Sequence, residues 1–140
     1  MAAYTGHTSI CVIDMDRSID FYCNVLGLRV SKDFGVIPAK SLTRDEESKM
    51  RIVLLAAEDG LECVELFQFF NIEQRRMEGK VKHEDFWSSH VALLYDNIDE
   101  AYQKVVDAGT EIDIPLCGSS GYRFSYVFDP DGYMVELIEK

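Results

Sequence analysis

The apolar positions of this chain fall into short runs of strand length, interrupted by two stretches of helical period, and the same order of runs occurs twice. His7-Thr8-Ser9-Ile10-Cys11-Val12-Ile13 opens the first copy as a run rich in β-branched and apolar residues, which predicts a buried strand. Asp14 or Asp16 then caps a helix whose apolar stripe is Ile19, Tyr22, Cys23, Val25 and Leu26, and Gly27 supplies its left-handed end. Leu28 to Phe34 reads as the next strand. Val36 to Lys49, with Pro38 and the cluster Arg44-Asp45-Glu46-Glu47, reads as a poorly ordered loop or a lid. Met50 to Ala56, the turn Glu58-Asp59-Gly60 and Leu61 to Phe69 complete a hairpin.

Asn71 to Asp85 is polar, without a sustained apolar period, and reads as a tether with room for one helical turn. The second copy then repeats the plan. His90 to Tyr95 is a strand, and Asn97 or Asp96 caps a helix with the stripe Ile98, Ala101, Tyr102, Val105 and Ala108, closed by Gly109. Glu111 to Ile114 is a strand stopped by Pro115, and Cys117 to Gly121 a flexible loop. Tyr122 to Phe128, the turn Asp129-Pro130-Asp131-Gly132 and Tyr133 to Ile138 end the chain in a second hairpin. The expected fold class is therefore α+β: two βαβββ modules, 5–70 and 88–140, joined by a tether over 71–87, with curved mixed sheets around a shared cavity.

Composition narrows the partners more than the chemistry. The formal charge of −11 argues against nucleic acid and anionic membrane as partners. Met1-Ala2-Ala3-Tyr4 shows neither a basic nor an apolar leader region, and no apolar run reaches the roughly 20 residues of a membrane span. Cys11, Cys23, Cys63 and Cys117 have no CxxC spacing, so reduced thiols in a cytoplasmic protein are expected.

The candidate chemistry lies in what the two copies share. Each begins its first strand with a histidine, His7 or His90, and carries a glutamate within its last apolar strand, Glu65 in Val-Glu-Leu-Phe and Glu136 in Val-Glu-Leu-Ile. An ionised glutamate buried in such a strand costs several kcal/mol unless it is paired or metal-bound. Side chains alternate faces along a strand, so Glu65 shares a face with Cys63 and Phe67, and Glu136 with Met134 and Ile138. Two imidazoles and two carboxylates suit one octahedral borderline metal per site: Ni, Co, Zn, Fe or Mn. His83, alone in the charged tether, is read as a solvated residue. Arg51, Arg123 and Tyr122 are the nearest candidates for holding an anionic substrate.

The chain resembles the vicinal oxygen chelate superfamily, which includes glyoxalase I, methylmalonyl-CoA epimerase, fosfomycin-resistance proteins, bleomycin-binding proteins and extradiol dioxygenases. The resemblance is carried by His7-Thr8 through Asp14, Asp20-Phe21-Tyr22 with Val25-Leu26-Gly27-Leu28, Val64-Glu65-Leu66, His90 through Ala108-Gly109, and Asp129-Pro130-Asp131-Gly132-Tyr133-Met134-Val135-Glu136-Leu137. It implies paired βαβββ modules around a divalent metal, with His7, Glu65, His90 and Glu136 as ligands, most like the set of bacterial-type glyoxalase I. It further implies an enediolate route in which Glu136, or Glu65, moves the proton. A homodimer is implied, with the metal held within one chain or between two.

Two polar anchors of that enzyme are missing. Where glyoxalase I carries an arginine four residues after the first ligand, this chain has Cys11, and where it carries an asparagine four residues after the ligand glutamate, it has Phe69. Cys11, Phe67 and Phe69 would make that side of the pocket apolar, with Arg123 as a candidate anchor, and the substrate opens to another α-hydroxycarbonyl or thiol adduct. Three alternatives stay open. His7, His90 and Glu136 alone would form an iron(II) dioxygenase triad, although Glu65 would then fill a position oxygen needs. An acyl-CoA epimerase usually has glutamine at the place of Glu65. A non-catalytic drug-binding or resistance protein of the same fold usually lacks the full ligand set.

Overall fold

The computed structural model describes Met1 and residues 6–75 and 79–140; Ala2–Tyr4, where the sequence shows no leader pattern, and Arg76 of the tether lie outside these. The chain divides into two compact units, Met1–Arg75 and Arg76–Lys140.

The first unit contains β1 (Thr8–Cys11), α1 (Met15–Asp20) running into a π-helical turn (Phe21–Val25), β2 (Arg29–Pro38), the single turn α2 (Lys40–Thr43), β3 (Lys49–Ala56) and β4 (Glu62–Phe70). The second contains β5 (His90–Tyr95), α3 (Ile98–Asp107), β6 (Ile112–Ser119), β7 (Tyr122–Phe128) and β8 (Met134–Glu139). The sheet orders are β1-β4-β3-β2 and β5-β8-β7-β6, so each unit has the same mixed topology with its parallel pair at one edge. Two βαβββ units are thus present. No described helix is long and apolar enough to cross a membrane.

Alternation along the strands sorts each sheet into two faces. Ile10, Val53, Leu55, Val64 and Leu66 are buried on the face of the first sheet that carries α1, and Val91, Leu93, Val127, Val135 and Leu137 on the α3 face of the second. Full burial of each such side chain stabilises by about 1.5–3 kcal/mol. The helix starts follow local chemistry. Asp14 accepts from the Arg17 amide at 3.1 Å and Asn97 from the Glu100 amide at 3.2 Å, and Gly27 and Gly109 end the helical stretches at φ 82° and 66°.

Four expectations are corrected. The first strand is half-buried, since only Ile10 of β1 is covered. Of the expected stripe the first helix buries Tyr22 and Leu26 but leaves Ile19, Cys23 and Val25 only partly covered, and buries Met15, Ser18 and Phe21 besides, because the bond from the Leu26 amide to the Phe21 carbonyl (3.1 Å) inserts a residue into the period. Residues 36–49 are not an irregular loop: Val36–Pro38 finish β2, and Thr43, Asp45 and Ser48 bond one another around α2. Pro38 and Pro115 are both tolerated in strands because β2 and β6 are edge strands. β6 accordingly continues through Pro115 to Ser119, and its pairing with β7 shifts register on either side of Ile114.

Candidate metal centre

In each unit the histidine and glutamate meet across the parallel strand pair. His90 lies opposite Met134, so Glu136, two residues on, is its diagonal neighbour on the same face. His7 immediately precedes the Thr8–Val64 pair, which gives Glu65 the same diagonal place. The His7 Nε2–Glu65 Oε2 separation is 3.0 Å, and the His90 Nε2–Glu136 Oε2 separation is 3.1 Å. The environments match too: the glutamates are 14% exposed in both, the histidines 39% and 37%. Half-buried carboxylates facing accessible imidazoles are a donor set suited to a borderline divalent cation. Each unit by itself contributes two such donors, and among the described residues no group of three or more His, Cys, Asp and Glu stands together.

Beyond the four ligand candidates, each carboxylate has a hydroxyl partner that the sequence reading missed. Ser9, paired with Glu65 in the β1–β4 register, donates to Glu65 Oε2 at 2.6 Å. Tyr126, paired with Glu136 in the β7–β8 register, stands beside the Glu136 carboxylate on the same sheet face. Burial, and then the bond and charge of Glu136, push the Tyr126 phenol up to about 12, so it remains a donor across the physiological range. Ser9 was accessible to the reading, since it lies two residues past His7 and shares its strand face. Tyr126 was not, because only register places it beside Glu136.

Cys11, Phe67 and Phe69 come to the Glu65 face. Cys11 pairs with Phe67 in register, the Phe67 and Phe69 rings lie 5.9 Å apart, and the Cys11 Sγ receives the Gln74 side-chain amide at 3.2 Å. Arg123 goes elsewhere. It stands on the α3 face of its sheet, opposite in strand phase to Glu136, where its guanidinium binds Glu139 Oε1 at 2.8 Å and Asp99 Oδ1 at 2.9 Å. Both carboxylates raise its pKa, and it braces helix to strand instead of joining the His90–Glu136 pair. Arg51 does the same in the first unit, between Asp33 and Asp16, each at 2.8 Å. None of the four cysteines is in a disulfide, and burial pushes the Cys23 and Cys63 thiols up, which keeps them protonated.

His83 is exposed, as the tether reading expects, but it has partners. Its Nε2 lies 3.0 Å from Asp113 Oδ2 and its ring meets the Tyr126 ring edge-on at 4.4 Å. His90 packs on the same Tyr126 ring at 5.2 Å.

A protein-family model described as the glyoxalase/bleomycin resistance protein/dioxygenase superfamily matches residues 5–137. A lactoylglutathione lyase of Haemophilus influenzae is 30% identical over 136 residues, which is 95% of this chain and 90% of that protein. Among solved structures, a glyoxalase family protein from Bacillus cereus superposes with a TM-score of 0.85 at 19% identity, over 99% of this chain and 95% of that one. The trypanothione-dependent glyoxalase I of Leishmania major superposes with a TM-score of 0.69 at 26% identity, over 99% of this chain and 87% of that one.

Proposed function

The chain belongs to the glyoxalase/bleomycin resistance protein/dioxygenase superfamily, and from that premise we propose that it is a divalent-metal-dependent lyase or isomerase acting on a small substrate with neighbouring oxygens. The observation that carries this reading is the repeated pair: a histidine Nε2 set 3.0 Å from a glutamate Oε2 in one unit and 3.1 Å in the other. His7, Glu65, His90 and Glu136 would hold the metal, with a homodimer as the working assembly. Bound there, a divalent ion supplies Lewis acidity toward two neighbouring substrate oxygens.

The protein's own residues do the rest. Glu136 is the base that takes a proton from the carbon next to the carbonyl and returns it to the neighbouring carbon. Glu65, held by Ser9, is the second carboxylate of the set. The similarity to lactoylglutathione lyases supports a thiol adduct of a 2-oxoaldehyde as the substrate class. Cys11, Phe67 and Phe69 around Glu65 support an apolar seat there in place of charged tripeptide anchors.

The test is metal content and turnover together. Purified protein is expected to contain about one divalent metal per site, lost in a His7→Ala/His90→Ala variant. Glu136→Gln is expected to retain the fold while lowering turnover of a 2-oxoaldehyde–thiol adduct by at least about 100-fold. Wild-type rates in Glu136→Gln would remove it from the base role, and no metal uptake after reconstitution would defeat the reading.

A further inference from the structure

The two glutamates obtain their hydroxyl partners by different routes, and the difference recruits a histidine outside the ligand set. In the first unit the hydroxyl comes from Ser9 on the parallel neighbour β1, while the residue facing Glu65 from β3 is Leu54, which has none. In the second unit the residue facing Glu136 from β5 is Ala92, which has none, and the hydroxyl-bearing residue set opposite Glu136 is Tyr126 on the antiparallel neighbour β7. Each carboxylate thus has one neutral hydroxyl-bearing neighbour, placed on opposite sides of its strand. Packing alone does not require this, because an apolar side chain would fill either place.

Tyr126 is far longer than Ser9, and a long lever needs its ring fixed to aim its hydroxyl. Three rings fix it. His90 meets the Tyr126 ring at 5.2 Å and 90°, His83 meets it at 4.4 Å and 81°, and Phe124 meets it at 5.9 Å and 75°. The His83 ring is itself held by Asp113 of β6, 3.0 Å from its Nε2. Asp113, His83, Tyr126 and Glu136 therefore form a continuous chain of contacts from the edge strand to the ligand carboxylate.

We propose that Tyr126 is a positioning residue for Glu136, and that His83 with Asp113 locks Tyr126 in the orientation that presents its hydroxyl to that carboxylate. The proposal rests on the metal-centre reading above. A carboxylate oriented by a fixed donor keeps its remaining lone pairs aimed in one direction, and loss of such an outer partner typically costs 10–100-fold in metal affinity.

The experiment is calorimetric titration of the metal-free, full-length protein with Ni²⁺ alone, beside thermal melting of the metal-free form. Tyr126→Phe retains the three ring contacts and removes only the hydroxyl. Its Ni²⁺ dissociation constant is expected to rise about 10-fold, with the metal-free melting temperature unchanged. His83→Ala changes no atom of Tyr126 or Glu136 but releases the Tyr126 ring, and is expected to weaken Ni²⁺ in the same direction by a smaller factor. If wild type binds Ni²⁺ and Tyr126→Phe binds it equally well, the positioning role is overturned while the metal centre stands. A lower melting temperature with an unchanged dissociation constant would assign the phenol to packing, which also overturns it. Wild-type affinity in His83→Ala would remove His83 and Asp113 from the device. No Ni²⁺ binding by wild type would defeat the metal-centre reading and this inference with it.

Discussion

Glu65 and Glu136 occupy one position in a duplicated plan, yet their surroundings make them different residues. Glu65 Oε2 receives the Ser9 hydroxyl at 2.6 Å and faces His7 Nε2 at 3.0 Å, so two groups converge on a single oxygen. Glu136 stands opposite a phenol whose ring contacts His83, His90 and Phe124. A short O–H to carboxylate bond is among the stronger protein hydrogen bonds, at about 1.5–3 kcal/mol for a charged acceptor. Ser9→Ala removes it without disturbing Ile10 or the strand pairing. The expected outcome is weaker divalent-metal binding, by about 10-fold in a competition assay with a chelator dye, with circular dichroism unchanged. Unaltered affinity would mean that Glu65 needs no help to hold its orientation.

At the scale of elements, the β6–β7 hairpin is the least regular part of the second sheet and carries its most constrained glycine. Gly118 sits at φ 102°, and a Cβ there would lie 2.3 Å from the Tyr122 carbonyl oxygen and 3.1 Å from the Arg123 Cα. The obstruction is backbone, which cannot swing aside as a long side chain can. Gly118→Ala is therefore expected to destabilise by more than about 1 kcal/mol, since strain from positive φ adds to the clash. Urea denaturation reads the change, and an unchanged midpoint would refute it. Asp113 lies on the same strand, so loosening this hairpin is also expected to reach the contact with His83. The counterpart in the first unit is the β2–β3 ribbon, where α2 and the Thr43–Ser48 bonds turn the chain between the two strands.

At the scale of the whole molecule, each unit ties its helix to its sheet with one arginine between two carboxylates. Arg51 binds Asp16 before β2 and Asp33 on it; Arg123 binds Asp99 of α3 and Glu139 of β8. The side-chain bond from Arg51 holds the Asp33 carboxyl below its ordinary value, and Arg123 does the same for Glu139. A carboxylate whose pKa is lowered on folding contributes stability above its unfolded pKa of about 4, and that contribution is lost as the pH falls through the folded value. Stability measured by denaturation is thus expected to fall on acidification below about pH 4, with a shallower fall in Asp33→Asn. At neutral pH the same variant loses only a few tenths to about 1 kcal/mol, because solvent screens a partly exposed pair. An identical acid limb in wild type and Asp33→Asn would show that this brace does not govern the titration.

By itself the sequence determined whatever depends on neighbours in the chain. The duplicated βαβββ order, the caps at Asp14 and Asn97, the helix-ending Gly27 and Gly109, and the Asp129–Gly132 turn are local, because periodicity, capping and positive φ act over a few residues. The four His and Glu candidates were legible for the same reason, through repetition of position. Only the tertiary structure decided which side chains meet. A slip of one residue in strand pairing turns every side chain to the other face, so register alone set Tyr126 beside Glu136 and turned Arg123 toward Asp99 and Glu139. The same non-local pairing took His83 from an apparently solvated tether and set it between Asp113 and Tyr126, a place that no spacing along the chain encodes.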